Sequence, residues 1–248
     1  MNQNAIQELY EQEDSYWWHK GRRVVMEALL RKVLAGQTGS KILDVGCGTG
    51  ANLALFQKFG TVFGVDVSPD AVRYCRQRGF LNVQEGRAEA LSFPDKTFDM
   101  VAAVELLEHM QDDEKVLGEF SRVLKKGGLL FLTVPAYQFL WTEHDDALNH
   151  QRRYTLGELR DKFQRAGFVV EKGTYMVCFT SPLFFWRLFK KIFRRKKRKP
   201  KTSYVSVPDF LNKVLVYPFF LEAKVVQFGR LPFGTSIMLV ARRERECA

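Results

Sequence analysis

Apolar and polar positions along the chain alternate between two periods, one suited to strands and one to helices. Lys41 to Val45 is a short apolar run that predicts a strand closed by a glycine loop, and Thr61 to Val67, Asn82 to Gln84, Phe98 to Val104, Leu129 to Val134, Phe168 to Cys178 and Ser236 to Val240 predict six more. Between them lie helical patterns. Val24 to Leu34 ends at Gly36, Asn52 to Phe59 follows the first strand, and Ser68-Pro69 opens the next helix with Ser as N-cap and Pro in the first turn. Glu114 to Lys126 is amphipathic, and Gly127-Gly128 reads as a turn into the fifth strand. Thr155-Leu156-Gly157-Glu158 is a capping box that opens a helix ending at Gly167. Strands alternating with helices predict an α/β fold, a doubly wound, mostly parallel sheet of seven strands with helices on both faces. After Pro182 the pattern breaks down. A new apolar helix starts at Pro208, is interrupted at Pro218 and ends near Gly229. The expected organisation is therefore an N-terminal helical lid segment (1–40), the main α/β body (41–181), a helical insertion (182–232) and the last strand with a tail (233–248).

The strongest motif is Asp44-Val45-Gly46-Cys47-Gly48-Thr49-Gly50, a strand running into G-x-G-x-G and then a helix. Glycines there let a ligand approach the backbone closely. Asp66 ends the second strand, where a carboxylate can accept both hydroxyls of a ribose. A pyrophosphate-binding loop reads G-x-G-x-x-G. Here the third glycine comes one residue early and Asp44 stands two residues before the first. A carboxylate at that place suits an ammonium group, which points to an adenosine ligand carrying a cation instead of a pyrophosphate.

With these pieces, and with Val65-Asp66-Val67-Ser68, Phe98-Asp99-Met100-Val101, Leu107-Glu108-His109 and Leu124-Lys125-Lys126-Gly127-Gly128, the chain resembles the Rossmann-like class I S-adenosylmethionine-dependent methyltransferases. The likeness is strongest to the group that includes the ubiquinone-biosynthesis O-methyltransferases, and it covers roughly residues 15–178 and the last strand. The resemblance implies S-adenosylmethionine as cofactor, with Asp44 at its methionine end and Asp66 at its ribose. It implies a wider cofactor set of Gly46, Cys47, Gly48, Gly50, Val67, Arg87, Ala88 and Glu105. One position departs from the family pattern. Gly86-Arg87-Ala88 stands where the family has Gly-Asp-Ala, and an arginine cannot accept from an adenine amino group. The Ala88 backbone can still serve the ring, and Glu89 is a substitute acceptor.

The acceptor of the methyl group belongs beyond the carboxyl ends of the strands. After the fourth strand, Glu105, Glu108 and His109 are spaced to share one face of a helical turn. Such a face can hold a divalent metal, as the same spacing does in the O-methyltransferases that the chain resembles. It can also cap the turn and line the cofactor pocket without a metal, and the site is expected to contain none. His109 is a candidate general base in either case. After the fifth strand, the long polar segment from Trp141 to Tyr154 carries His144, His150, Arg153 and Tyr154, which are expected to face the acceptor. The alternative is a solvated surface loop. Tyr16-Trp17-Trp18 reads as a lid over the site or as a staple onto the core.

The net charge of +10 changes the picture only once it is located. Ten Lys or Arg and no acid lie between Arg187 and Lys201, and the rest of the chain is balanced at 28 basic and 28 acidic residues. A neutral body argues against a broad nucleic-acid surface. On a helical projection, Phe184, Phe185, Leu188, Phe189, Ile192 and Phe193 share one side while Arg187, Lys190, Lys191 and Arg194 share the other. That is a basic amphipathic helix suited to an anionic bilayer surface. No apolar run reaches spanning length, no secretory signal opens the chain, and Cys47, Cys75, Cys178 and Cys247 are scattered. These features lead us to expect a cytoplasmic protein, peripheral on the membrane, that O-methylates a small lipid-like or lipid-linked acceptor. The rivals are a nucleic-acid methyltransferase that uses the basic run as a grip, and a membrane-bound scaffold without catalysis.

Overall fold

The computed structural model of the chain describes residues 3–37, 39–179 and 207–244. Seven strands form one sheet: β1 (Ser40–Val45), β2 (Gly60–Asp66), β3 (Val83–Glu85), β4 (Phe98–Val104), β5 (Leu124–Pro135), β6 (Phe168–Met176) and β7 (Ser236–Arg243). Their order across the sheet is β3-β2-β1-β4-β5-β7-β6. Strands β1 to β5 pair in parallel, and β7 runs antiparallel between β5 and β6. The order reverses between β1 and β4, so the carboxyl ends of these two strands flank a crevice.

Side chains on the inner strands alternate between two cores, as period-two geometry requires. Ile42, Met100, Ala102, Leu129, Phe131, Met238 and Val240 face one cluster. Leu43, Val45, Val101, Ala103, Leu130, Leu132 and Ile237 face the other. The first cluster is covered by α2 (Trp17–Val33), α3 (Ala51–Phe56) and a C-terminal helix, and the second by α5 (Asp113–Val123) and α7 (Leu156–Arg165). Both predicted caps form. Ser68 Oγ accepts from Ala71 N at the start of α4 (Pro69–Gln77), and Thr155 and Glu158 make a reciprocal capping box at the start of α7.

Some expectations change. Helix α2 begins at Trp17 instead of Val24, so most of the aromatic segment lies in its first two turns. Gly127-Gly128 sits inside β5, where Gly127 at φ 72° kinks the strand without ending it. The segment after Pro208 forms α8 (Asp209–Val214) and α9 (Tyr217–Phe228). Helix α9 is part of the body, since Phe219, Ala223 and Val226 join the first core. A Cβ at Gly21 would stand 2.3 Å from the Phe219 ring, so glycine there admits the close approach of α2 and α9. Buried Glu222 accepts from Val177 N and Phe179 N, each at 2.8 Å, and clamps the end of β6. The expected basic amphipathic helix, 184–195, lies outside the described residues. No helix among the described residues is long and apolar enough to cross a membrane.

Candidate active site

The glycine loop leaves the end of β1 and turns back across β2. Gly46 N and Cys47 N both donate to the Val65 carbonyl, at 2.8 and 3.1 Å. Gly46 has φ 73°, and a Cβ on it would lie 2.8 Å from Leu106 Cδ1, so both backbone and space demand glycine. Gly50 at φ 93° then starts α3. Asp66 at the tip of β2 pins this turn. Its carboxylate accepts from Gly48 N at 2.9 Å and from Ser68 N at 2.9 Å. Each oxygen keeps a second lone pair, which is what two ribose hydroxyls need.

Asp44 is the most telling residue of this half. It is 1% exposed, and neither carboxylate oxygen has a hydrogen-bond partner. Burial, and then the charges of Asp66 and Glu13, push its carboxyl well above the usual carboxylate range. A buried acceptor without a donor is costly. A ligand ammonium placed there would remove that cost, so the pocket fits the cation of S-adenosylmethionine. The other residues of the expected cofactor set are placed differently. Cys47 turns its thiol into the core, 3.8 Å from Cys75 Sγ, so only its backbone faces the turn. Val67 is 69% exposed beside Asp66, an apolar surface at the edge of the pocket. Ala88 is buried, whereas the Arg87 side chain is 71% exposed and pairs with Glu89 at 3.3 Å.

The cover over this loop comes from residues 3–14 of the N-terminal segment, 1–40, that was expected as a helical lid, although none of these residues was itself singled out. Helix α1 (Gln3–Gln12) brings Leu9 within 3.9 Å of the Cβ position at Gly48, and Tyr10 stacks on Tyr74 of α4. Glu13 accepts from the Thr49 hydroxyl and pairs with Arg78 at 3.0 Å, and Arg78 also pairs with Asp14. Of the two readings of Trp17 and Trp18, lid or staple, the structure shows the staple. Both pack on the first core, Trp17 with its ring centroid 6.0 Å from that of Phe219 and Trp18 under the Arg22 guanidinium at 4.3 Å.

The candidate acceptor side is built on the loops after β4 and β5. Glu105 takes a left-handed backbone (φ 54°), and a 3-10 turn follows over Leu107–His109. That geometry separates the three residues expected to share a face. Glu105 points to α2, pairing with Arg22 at 2.9 Å and accepting from Thr133 Oγ1 at 3.0 Å. Glu108 is fully buried, and both its oxygens lack partners. Burial and the Glu105 charge raise its pKa well above the carboxylate range. His109 stacks edge-on to His150, ring centroids 4.7 Å apart. The donor atoms of Glu108, His109 and His150 lie within 4.8 Å of one another.

Asp145, which the sequence reading missed, organises the second loop. It sits fully buried in α6 (Glu143–Ala147). Its carboxylate takes both Nε and Nη2 of Arg153, at 2.8 and 2.9 Å, and lies 2.9 Å from His150 Nδ1. It also accepts from Thr142 N at 2.8 Å. The cations and donors around it hold its pKa below the usual range in spite of its burial. The available signal was the Thr142-x-x-Asp145 spacing of a capping box. Arg22, also missed, shares the apolar face of α2 with Val25, Met26 and Leu29, and a lone charge on such a face marks a buried pair.

Two residues expected at the acceptor are buried and bonded to other protein groups instead. Arg153 directs its fork at Asp145 and donates from Nη1 to the Ala136 carbonyl at 3.1 Å, leaving the side chain 6% exposed. Tyr154 is 2% exposed, its hydroxyl 3.0 Å from Asp113 Oδ2 and 3.1 Å from the Leu107 carbonyl. The histidines do converge. His19, from α2, joins them closely enough for its charge and that of His144 to act on each other. Burial is the first cause that lowers His19 to about 3, His109 to about 4 and His144 below its ordinary value. These three imidazoles are therefore neutral near pH 7 and present lone pairs.

Comparison with known proteins bears on the family and the fold. Residues 43–132 match a family model described as a methyltransferase domain. A probable S-adenosylmethionine-dependent methyltransferase of Mycolicibacterium smegmatis is 29% identical over 64% of this chain and 62% of its own length. A phosphatidylethanolamine N-methyltransferase of Cereibacter sphaeroides is 34% identical over 52% of this chain and 66% of its own. The chain thus spans less than two thirds of the length of these curated relatives. A crystal structure of a putative methyltransferase from Bacillus halodurans shares the fold with a TM-score of 0.58, at 22% identity over 88% of this chain and 99% of that one.

Proposed function

The chain carries a methyltransferase domain of the class I S-adenosylmethionine-dependent family, and from that premise we propose that it methylates an oxygen of a small lipid-like or lipid-linked acceptor at a membrane surface. The observation that carries the methyl-transfer reading is Asp44, a buried carboxylate with no partner beside a glycine turn and the ribose-competent Asp66. S-adenosylmethionine supplies an activated methyl on a sulfonium. The protein's part is to hold the acceptor in line with that carbon, keep water out and take the acceptor's proton. Asp44 binds the ammonium end, Asp66 fixes the ribose, and the α1 cover with Glu13 and Arg78 closes the pocket from solvent. His109 and His150, on the loops beyond β4 and β5, are the bases within reach of an acceptor.

The choice of oxygen rests on those histidines, since a hydroxyl must lose a proton when it is methylated whereas a tertiary amine need not. The lipid reading rests on two observations. One relative is named for a phospholipid substrate. The outer side of α8 and α9 also exposes Phe210, Val214, Tyr217, Phe220, Leu221 and Phe228, next in sequence to the ten-cation run.

Methyl-labelled S-adenosylmethionine, incubated with the protein and separate extracts of host lipids, soluble metabolites and RNA, tests the reading with Asp66→Ala as control. Label in the lipid fraction that disappears in the variant is the expected result. Label confined to RNA would replace the acceptor class with nucleic acid, and label in metabolites alone would remove the membrane from the reading.

A further inference from the structure

The N-terminal cover joins the rest of the protein through residues 13–17, the junction between α1 and α2. The first amides of a helix have no partner inside it and need an acceptor from elsewhere. Tyr16, the N-cap of α2, gives no side-chain cap. The acceptor comes instead from Asn212 of α8, 195 positions away, whose Oδ1 takes the Trp17 N–H at 2.8 Å. Its Nδ2 donates to the Ser15 carbonyl at 2.7 Å. One side-chain amide thus grips the backbone on both sides of Tyr16. Its two partners are a donor and an acceptor, so they also fix which way the amide faces.

We propose that Asn212 is a positioning residue for the cofactor: it latches the α1–α2 junction, holds α1 down over the glycine loop and so slows the release of S-adenosylmethionine. The latch rests on the cofactor site described above, and it sets how long the ligand stays, not what is recognised.

Helix α1 has ten residues, too few to be stable in isolation. Its place is set by contacts towards its C-terminal end, with Leu9 beside Gly48, Tyr10 on Tyr74, and Glu13 with the Thr49 hydroxyl and Arg78. Two cations hold the near side of the junction. Arg23 donates to the Glu13 carbonyl, and Arg78 pairs with the carboxylates of Glu13 and Asp14. Asn212 holds the far side. Helix α8 buries none of its six residues, but it is followed by α9, which Phe219 anchors in the core. The Phe219 ring also lies 6.0 Å from that of Trp17, so the residue that Asn212 caps is held from one segment by both backbone and side chain. A ligand beneath such a cover leaves when the cover lifts. A latch that favours the closed form lowers the rate of leaving and raises affinity through the population of that form. Asp44 and Asp66, by contrast, act on the ligand itself.

Two measurements read the latch and its consequence separately. Amide hydrogen exchange is followed in the cofactor-free protein, and release of labelled S-adenosylmethionine is followed during a chase with unlabelled cofactor. In Asn212→Ala, exchange across α1 should quicken while β1 and β4 keep their protection. Release should become at least about fivefold faster, the worth of one net hydrogen bond. Asn212→Leu, which keeps bulk without either polar atom, should behave alike. Lys213→Ala, on the same helix but with no part in the latch, should leave both rates unchanged. Thermal melting of each variant shows that folded proteins are being compared. Unchanged exchange in α1 of Asn212→Ala would overturn the latch, and unchanged release would overturn its hold on the cofactor. A rise in exchange over the whole sheet would also overturn it, because Asn212 would then be a residue of general stability. Failure of the unaltered protein to bind S-adenosylmethionine would fall on the cofactor reading, and the exchange comparison would still decide the latch.

Discussion

The two halves of the crevice are held by different physics. On the cofactor side, between β1 and β3, the backbone does most of the work, through three positive-φ glycines and amides pinned to Val65 and Asp66. One buried side chain, Asp44, is left without a partner. On the acceptor side, between β4 and α7, a dense set of side-chain bonds centred on Asp145 and Asp113 holds the loops. A backbone site tolerates changes of side chain and fails when a glycine or the one charged contact is altered. A side-chain network should fail at its hub, and should lose loop structure before it loses cofactor.

The largest expected effect tests that distinction. Asp145→Ala leaves the Arg153 guanidinium buried without its carboxylate, and breaking a buried pair in this way costs about 3–5 kcal/mol. For a domain of this size that is a fall in Tm of roughly 6–20 °C, measured by calorimetry. Cofactor affinity of the folded fraction should stay close to that of the unaltered protein. Equal loss of both would mean that the halves are one cooperative unit and the contrast is false.

Next in size is Asp44→Asn. Removing one partner of a buried charge pair costs about 2–5 kcal/mol of binding, so S-adenosylmethionine affinity should fall at least tenfold with little change in Tm. The pH dependence follows from the raised pKa of Asp44. Burial favours the protonated carboxyl in the free protein and a cationic ligand favours the carboxylate, so below the free-protein pKa binding should release a proton. Affinity should therefore rise with pH until the free-protein pKa is passed and then level off. Calorimetry in buffers of different ionisation heat reads the proton directly, and the Asn variant should show none from this group.

The same contrast explains what the sequence made legible. Asp44, Gly46, Gly48, Gly50 and Asp66 are contiguous or end neighbouring strands, so a reader of the chain meets them already assembled. The seven strands and the capped starts of α4 and α7 were legible for the same local reason. The acceptor side was not. Arg22 meets Glu105 across 83 positions of sequence and Tyr154 meets Asp113 across 41, and no local pattern encodes such pairs. The left-handed turn at Glu105 replaced the expected helical face, a result of tertiary packing with no sequence mark. The choice between lid and staple for Trp17 and Trp18 stayed open in the sequence because their partner Phe219 lies some 200 residues away.

A smaller effect is expected at Tyr154, whose hydroxyl joins the network at its edge. Tyr154→Phe removes one bond to Asp113, which keeps Lys162 at 2.8 Å and Arg152 at 3.3 Å as partners. The loss should be near 1 kcal/mol, or about 2–4 °C in Tm. A loss as large as that of Asp145→Ala would place the centre of the network at Asp113 instead.

The smallest effect is predicted where the sequence raised the sharpest doubt, at Arg87. An arginine in place of an acceptor for the adenine amino group suggested weakened cofactor binding. The side chain, however, projects into solvent and rests on Glu89, while the neighbouring Ala88 is the residue turned inward. If the backbone does the holding on the proposed cofactor side, the identity of an outward side chain should matter little. Arg87→Ala is expected to leave S-adenosylmethionine affinity within about twofold, in the range of ordinary surface substitutions. Arg87→Asp, which places an acceptor at that position, gives the sharper comparison. If the site is governed by backbone and Asp44, the gain should also be slight, because the new carboxylate would have to turn inward from an exposed position. A tenfold gain would show that a side chain at this position reaches the adenine, and the contrast between a backbone-held and a side-chain-held half would then fail on the cofactor side.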